Sequence, residues 1–181
     1  GYERQIDALL RAHYPKLNVR EMNTGISGDR VTDLQARWQQ DVLALEPDYL
    51  SIMIGINDVW RHFDHPQMDQ IDLGTYAAKL EGLIQQTLPR VKGLVVMSPF
   101  FLEANRSDPM RVQMDAYGAA AKQVAERNQR PFVDVQAAFD AWLAHQPTQQ
   151  LCGDRVHPNH VGHNIIASAF LNALGFEWRV R

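Results

Sequence analysis

Cysteine is nearly absent from this 181-residue sequence, in which Cys152 is the single thiol. One cysteine excludes an intramolecular disulfide framework and a zinc site built from several cysteines. It is also consistent with a reducing compartment. The fold must therefore rest on a hydrophobic core, and a chain of this length with 45% hydrophobic residues is able to bury one.

Long apolar runs and an excess of one charge are missing as well. No apolar segment is long enough to cross a lipid bilayer. The 18 basic and 21 acidic residues give a formal net charge of −3, and no block of one sign stands out. We therefore expect neither nucleic acid nor a membrane surface as a partner, and we expect residues 1–181 to form a single domain.

Helical and strand-like patterns alternate along the chain, which indicates an α/β domain with a mostly parallel sheet. Helices are predicted over residues 2–14, 29–46, 73–88, 109–129, 136–145 and 159–173, with a polar loop over 61–71. Strands are predicted over residues 18–23, 49–55, 93–100 and 132–135. The second and third strands are almost continuously apolar, so we expect them in the centre of the sheet, with the other two at its edges.

The chain starts with a predicted helix, whereas a doubly wound domain usually starts with a strand. In the flavodoxin-like strand order 2-1-3-4-5, that first strand occupies the middle of the sheet. We therefore expect a doubly wound, flavodoxin-like α/β fold whose first central strand is not among residues 1–181.

The segment CGDRVHPNHVGH, residues 152–163, contains the strongest chemical signal. Asp154 and His157 are three residues apart, so a turn brings both side chains to the same rim. His157 is then a candidate general base, and Asp154 a candidate partner that fixes its tautomer and stabilises the imidazolium. Pro158 is predicted to occupy the first turn of the terminal helix.

The same segment also offers three histidines, His157, His160 and His163, as metal ligands. On a helix this spacing spreads them over roughly 120°, at ~100° per residue, so they converge poorly on one ion. No HExxH motif or carboxylate pair supports a metal either. We therefore expect no metal, and we interpret His160 and His163 as solvated or packing residues.

Two further motifs follow predicted strands, where ligands of parallel sheets bind. In NTGISGDR, the N–H of Gly28 at the start of a helix is a candidate donor to an oxyanion, although a tight turn capped by Asp29 is the favoured interpretation of this motif taken alone. In GINDVW, the amide of Asn57 is a second candidate donor, although Asn-Asp is also ordinary in turns. Together the two motifs favour an oxyanion hole.

A hydrolytic triad also needs a nucleophile within hydrogen-bond reach of the base. The serines of the chain are Ser27, Ser51, Ser98, Ser107 and Ser168. Ser27 stands in a strand-to-helix turn, but its GISG string is one residue short of the G-x-S-x-G elbow. Ser51 is expected inside a buried strand, Ser98 directly precedes Pro99, and the last two lie in a loop and in the terminal helix. Cys152 is expected to pack, so no residue is a good nucleophile.

These blocks resemble the SGNH (GDSL-type) hydrolases, a family named for blocks that supply Ser, Gly, Asn and His. NTGISGDR corresponds to the glycine block with Gly28, GINDVW to the asparagine block with Asn57, and DRVHP to the last block with Asp154 and His157. Their order and position agree along nearly the whole chain. The resemblance implies a three-layer α/β/α hydrolase fold, with the Gly28 N–H and the Asn57 amide as oxyanion-hole donors.

Longer strings are similar to bacterial acetylxylan esterases of this family, namely ARWQQDVLALEPDYLSIMIGINDVWR, DPMRVQMDAYG and DRVHPNHVGH. The resemblance implies a serine esterase that removes acetyl groups from xylan or xylo-oligosaccharides without a metal or organic cofactor. It also implies a homo-oligomer, located in the cytoplasm. Trp60 and Arg61 are candidates to line the sugar side of the pocket, although Trp60 equally suits the core.

One block of the family is absent from this sequence: the Gly-Asp-Ser block, which supplies the nucleophile at the end of the first strand. We therefore expect the nucleophilic serine upstream of Gly1, in a segment that also supplies the first central strand. Two alternatives stay open. One is a non-catalytic carbohydrate-binding relative without a nucleophile, and the other is an esterase or thioesterase for a different short acyl group.

Overall fold

Three parallel strands form the sheet, in the order β1-β2-β3. The computed structural model describes residues 1–178 and gives these strands as β1 Tyr49–Met53, β2 Gly93–Met97 and β3 Phe132–Val133. Tyr49 pairs with Gly93 and Met53 with Met97, while Val96 and Met97 pair with β3. The parallel sheet confirms the α/β class, and the strand order agrees with the 3-4-5 part of the predicted arrangement.

Seven helices connect and cover the strands within the described residues. They are α1 Tyr2–His13, α2 Val31–Asp41, α3 Ile56–Asp64, α4 Leu73–Thr87, α5 Pro109–Arg127, α6 Val135–Leu143 and α7 His160–Ala173. Short 3₁₀ segments occur at Leu43–Leu45, Leu88–Arg90 and Thr148–Gln150. Six of the seven helices match a predicted helix, with ends that differ by a few residues.

The core has two parts because successive side chains of β2 point to opposite faces of the sheet. Leu94 and Val96 pack into a cluster with α2, α4 and α5, whereas Met97 packs into a second cluster with α6 and α7. Helix α1 lies against α7 on the second face. The result is the three-layer α/β/α arrangement, in which the carboxyl end of β1 leads directly into the Asn57 motif.

Strand β1 differs from its prediction as a central strand. In the described residues it lies at the edge of the sheet, where Tyr49 is 73% exposed and Ser51 is exposed. Its apolar composition suits burial on both faces, but no neighbouring strand of the described chain covers its outer side. The prediction that Ser51 is buried is wrong for the same reason.

The predicted strand over residues 18–23 is also wrong. The segment has no regular structure, and no strand of the described residues pairs with it. Instead, Arg11 donates to the carbonyl of Val19 at 2.7 Å, which ties the segment to α1. An extended segment becomes a strand only when a neighbour takes up its backbone hydrogen bonds, and short polar segments carry little signal of their own.

Helix α3, Ile56–Asp64, covers residues that we did not predict as a helix, and the polar loop begins only after it. Its apolar residues Ile56, Val59, Trp60 and Phe63 follow a helical spacing in hindsight. The signal was hidden because the helix has only nine residues and its first turn contains the Asn-Asp pair, which is typical of turns. This helix matters because it positions half of the candidate site.

Candidate active site

The turn between Cys152 and His157 positions the predicted acid–base pair. One carboxylate oxygen of Asp154 accepts from the backbone N–H groups of Val156 and His157 at 3.0 and 2.9 Å, and the other lies 2.6 Å from His157 Nδ1. Nδ1 therefore carries the proton that binds the carboxylate, and Nε2 of the exposed imidazole has a free lone pair. This is the geometry of a general base with a fixed tautomer.

The charge of Asp154 is stabilised by the same contacts. Burial alone would raise the pKa of its carboxyl, but the hydrogen bonds from the His157 amide and ring and from the Val156 amide lower the pKa to about 2. Asp154 is therefore ionised at any pH at which an esterase works. A permanent negative charge beside Nδ1 favours the imidazolium that a general base becomes.

Arg155, in the middle of the turn, holds it against the body of the protein. Its φ of 66° is in the left-handed region, and its carbonyl accepts from Leu102 N–H at 2.9 Å. Its guanidinium forms ion pairs with Glu103 at 2.8 Å and Asp108 at 3.3 Å. The Sγ of buried Cys152 accepts from Arg155 N–H at 3.1 Å, which confirms that Cys152 packs beside the turn.

Pro158 does not occupy the first turn of the last helix, so that prediction is wrong. Helix α7 begins at His160, and its N-cap is Asn159, whose side chain accepts from Val161 and Gly162 N–H. A Cβ added to Gly162 would lie 2.5 Å from Pro158 Cβ. Pro158 thus packs across the start of the helix, and a glycine is required for that close approach.

Trp60 of α3 contacts His157 directly. The two ring centroids are 5.5 Å apart with planes inclined by 69°, an edge-to-face arrangement. Arg61 Cζ lies 5.0 Å from the centroid of the Trp60 ring, and the guanidinium also pairs with Asp64. Trp60 is half-buried, so it belongs both to the edge of the core and to the rim of the site.

Asn57 stands two residues after Gly55, where β1 gives way to α3. Gly55 has a φ of 127°, and a Cβ there would lie 3.0 Å from both Pro99 Cγ and the hydroxyl of Tyr76. The side-chain Nδ2 of Asn57 donates to the carbonyl of Asp29 at 3.1 Å. This bond orients the amide, and its second N–H has no partner among the described residues.

Gly28 lies in the loop that Asn57 contacts. Its φ of 92° is left-handed, and an added Cβ would meet nothing within 4 Å, so the loop has little packing of its own at this point. The interpretation of Asp29 as the cap of α2 is wrong, because the N-cap is Arg30. Asp29 instead accepts from Arg37 Nε at 2.8 Å.

Asp58 is a buried carboxylate in the site that the sequence argument missed. It is 1% exposed, and its two oxygens lie 3.0 and 3.2 Å from the N–H of Val31 at the start of α2. Burial raises the pKa of Asp58 to about 6, against the opposing effect of the Val31 hydrogen bond. A signal was present, since the residue follows Asn57, but an Asp after an Asn also suits an exposed turn.

The contacts connect the four principal predicted residues through α3. Trp60 brings α3 to His157, which Asp154 holds, and Asn57 brings the same helix to the loop that carries Gly28. Arg61 contacts Trp60 rather than His157.

None of the five serines forms a hydrogen bond with His157 or Asp154 in the described structure. Ser98 is 2% exposed and accepts from the backbone N–H of Val135 and Gln136. The remaining serines have no hydrogen bond to His157, and exposed Ser27 precedes Gly28.

The other histidines of the last motif do not gather around an ion. His160 is exposed at the start of α7, and the ring centroid of His163 lies 6.5 Å from that of Tyr2 on α1. Across residues 1–178 there is no group of three or more His, Cys, Asp or Glu side chains able to hold a metal ion. Over the same residues, no helix has the length and apolar character needed to span a membrane.

The model of the GDSL-like lipase/acylhydrolase family matches residues 1–165 of the chain. The chain belongs to the GDSL-like lipase/acylhydrolase family. Lipases, acylhydrolases and acetylxylan esterases all hydrolyse esters, and the His157–Asp154 pair suits that reaction. The protein is a carboxylic ester hydrolase. The match covers every residue placed in the site.

Individual relatives of this GDSL-like chain are similar over almost its whole length. An acetylxylan esterase of Geobacillus stearothermophilus is 51% identical over 180 residues, which cover 98% of this chain and 82% of that protein. The crystal structure of Axe2, an acetylxylan esterase of the same organism, aligns with a TM-score of 0.97 at 50% identity, over 100% of this chain and 84% of that one. The crystal structure of LAE5, an α/β hydrolase from the Lake Arreo metagenome, aligns with a TM-score of 0.95 at 48% identity. The alignment covers 97% of this chain and 81% of that one.

Further structures of Axe2 are catalytic mutants in which alanine replaces a serine, an aspartate or a histidine. The aspartate and the histidine are three residues apart in that enzyme, and the serine lies near its N-terminus.

Proposed function

We propose that this chain carries the acid–base pair and the oxyanion hole of a serine esterase that removes acetyl groups from xylan or xylo-oligosaccharides. The observation that carries the proposal is the 2.6 Å contact between His157 Nδ1 and Asp154, which leaves Nε2 as the base. The spacing of three between these residues equals that between the aspartate and histidine replaced in the catalytic mutants of Axe2.

In the first half of the reaction, a serine hydroxyl attacks the acetyl carbonyl and His157 Nε2 takes the hydroxyl proton. Asp154 holds the resulting imidazolium and keeps its own charge. The oxyanion of the tetrahedral intermediate accepts from the Gly28 N–H and from the second N–H of Asn57 Nδ2. The intermediate then collapses to an acetyl-enzyme, and the imidazolium gives its proton to the departing sugar oxygen, which leaves as a free hydroxyl.

In the second half, a water molecule attacks the acetyl-enzyme and again gives its proton to His157 Nε2. The same two donors stabilise the second oxyanion. Collapse releases acetate and returns the proton to the serine oxygen. No step requires a metal or an organic cofactor, because His157 and the two donors supply the proton transfer and the charge stabilisation.

The nucleophile in this proposal is a serine outside residues 1–181. Three observations support that assignment. The five serines of the chain form no hydrogen bond with His157 in the described residues. The outer edge of β1, beside the site, is unpaired in the same part of the chain. The Axe2 serine whose replacement gives a catalytic mutant lies near the N-terminus of a longer chain.

Trp60 and Arg61 are proposed to border the sugar. Trp60 reaches the rim beside His157, where an aromatic face suits a sugar ring. The Arg61 guanidinium lies over the Trp60 ring. A homo-oligomeric state and a cytoplasmic location stay predictions. Light scattering during gel filtration tests the first, and cell fractionation tests the second.

The deciding experiment measures acetate release from acetylated xylo-oligosaccharides by the full-length protein, by His157→Ala and by His160→Ala. We expect His157→Ala to remove most activity. The rest of the site should still accelerate hydrolysis by roughly 10³–10⁴-fold relative to the uncatalysed reaction in water. His160 is exposed three residues further along and serves as the matched control, so its variant should keep normal turnover.

Labelling with a fluorophosphonate, followed by peptide mapping, tests the nucleophile. A label on a serine outside residues 1–181 supports the proposal. A label on Ser27 assigns the nucleophile to this chain instead, and no label at all favours the carbohydrate-binding alternative. Near-normal turnover of His157→Ala, or equal loss in both variants with inhibition by chelators, contradicts the mechanism.

A further inference from the structure

Two consecutive residues of α3 reach across to the same loop. Asn57 donates from Nδ2 to the carbonyl of Asp29, and Asp58 accepts from the N–H of Val31 with oxygens at 3.0 and 3.2 Å. The two bonds are 27 and 28 residues apart in sequence, so they hold together elements that the chain does not otherwise join locally. The carbonyl that Asn57 binds belongs to the residue directly after Gly28.

Asp58 is an unusual acceptor for a backbone N–H at the start of a helix, because it is a buried carboxylate from a different helix. Helix α2 already has a local cap, since Asp33 accepts from the N–H of its N-cap residue Arg30 at 2.9 Å. The N–H of Val31 is left to Asp58, which comes from another helix and is 1% exposed. Burying a carboxylate is expensive, and a surface residue could cap the helix without that cost.

The surroundings of Asp58 identify what the carboxylate holds in place. The charged groups of α2 that act on it are Arg30, which favours its ionised form, and Asp33, which opposes it. Asp58 also acts on the buried phenols of Tyr76 and Tyr117, from α4 and α5, whose pKa values are raised chiefly by burial and further by the Asp58 charge. The carboxylate is thus fixed in the core, and the start of α2 is tied to it.

The loop needs such a tie because it has little packing of its own. Gly28 is exposed, and the space where its side chain would be contains no atom within 4 Å. An oxyanion donor is effective only when it is held within about 0.5 Å of its productive position. Arg37 of α2 also holds this loop, through Asp29 and the carbonyl of Thr24. The bonds from Asn57 and Asp58 tie the loop and the start of α2 to α3, and so help set where the Gly28 N–H lies.

We propose that Asp58 is a positioning residue for the oxyanion hole, which holds the start of α2, and with it the Gly28 N–H, in register with the Asn57 amide. The inference rests on the proposed function, in which Gly28 and Asn57 are the two donors. It assigns no contact with substrate to Asp58. The carboxylate acts through the Val31 N–H alone.

The test breaks this bond from each side in the full-length protein. Asp58→Leu keeps the approximate size of the side chain and removes both acceptor oxygens. Val31→Pro removes the N–H, and proline suits this position because Val31 is the first helical residue and Arg30 before it is extended, with φ −104° and ψ 172°. Asp72→Ala, which removes the exposed carboxylate cap of α4, is the matched control.

We expect both variants to lower kcat by about 10- to 100-fold with KM within threefold, somewhat less than the 10²–10³ typical of losing an oxyanion donor outright. In an Asn57→Ala background the loss caused by Asp58→Leu should shrink to threefold or less, because the damaged site no longer uses the alignment. Asp72→Ala should keep kcat.

Several outcomes overturn the inference. Normal kcat in folded Asp58→Leu does so, as does a loss that multiplies in full with that of Asn57→Ala, because independent effects indicate a structural role. If Asp58→Leu does not fold, normal kcat in Val31→Pro has the same meaning. If instead Asn57→Ala itself is fully active, the proposed oxyanion hole fails, and that failure is recognised separately.

Discussion

The edge of the Trp60 indole meets the imidazole of His157, with ring centroids 5.5 Å apart and planes inclined by 69°. Asp154 fixes the imidazole at Nδ1, and Trp60 restricts its rotation from the side. The base is therefore held by one hydrogen bond and one ring contact, although it is exposed at the rim.

Removing the Trp60 ring should impair the base. An edge-to-face aromatic pair contributes about 0.5–1.5 kcal/mol, so we expect Trp60→Ala to lower kcat by roughly 2- to 10-fold. Trp60→Phe should recover most of the loss, because it keeps an aromatic edge. Initial rates on a small acetyl ester separate this effect from sugar binding. The control is Trp142→Ala, at a half-buried tryptophan of the other core cluster, and an equal loss there would point to general destabilisation.

The charge of Asp154 should be essential to turnover but not to folding. Asp154→Asn keeps the shape and allows the wrong tautomer of His157, for which a loss of roughly 10⁴ in kcat is expected with little change in KM. Since hydrogen bonds lower the pKa of Asp154 to about 2, the wild-type rate should show no inflection from this carboxyl between pH 4 and 9. Steady-state kinetics across that range checks both points, and a variant with more than a tenth of wild-type kcat would refute the assignment.

Stability should depend on pH through Asp58 in a direction opposite to that of most carboxylates. Its pKa is about 6 in the folded protein, above the ordinary value of 3.8, so the folded state binds the proton more tightly than the unfolded chain. The free energy of unfolding of the wild type, relative to Asp58→Asn, should therefore rise as the pH falls from 7 to 4. A difference of about two in pKa corresponds to roughly 3 kcal/mol.

Urea unfolding of both proteins at several pH values measures that difference. The comparison cancels the carboxylates that both proteins share, such as Asp33. A difference that stays constant between pH 7 and pH 4 would show that Asp58 has an ordinary pKa.

Gly55 should not tolerate a side chain. Its φ of 127° is strained for other residues, and an alanine Cβ would lie 3.0 Å from Pro99 and from the Tyr76 hydroxyl. We expect Gly55→Ala to destabilise the protein by about 1–3 kcal/mol and to lower kcat, because Asn57 follows two residues later. Gly82→Ala, within α4 and with open space around the new Cβ, should instead stabilise by about 0.5–1 kcal/mol. Thermal unfolding of both variants measures the two changes in stability. Equal changes would contradict the predicted difference between Gly55 and Gly82.

The sequence was most informative where one segment carries its own signal. Helix α5 was predicted over 109–129 and observed at Pro109–Arg127, because Asp108 caps it and Pro109 opens it. The Asp154–His157 pair was equally accessible, since a spacing of three within a turn is enough to bring the groups together. Both features depend on neighbours in the sequence.

The sequence was least informative where a structure depends on distant partners. Residues 18–23 have the composition of a weak strand, but a strand exists only with a neighbour to pair with. The role of Asp58 was hidden for the same reason, because its partner Val31 is 27 residues away. Whether Trp60 belongs to the core or to the site could not be predicted either, and the structure gives it both positions.

The open outer edge of β1 implies a weakness of residues 1–178 on their own. A row of unpaired backbone N–H and C=O groups beside exposed Tyr49 is a template on which any extended peptide can add as a further strand. Pairing between copies of the segment along this edge is a route to aggregation, and a complementary peptide that adds to the edge as a strand would block that pairing.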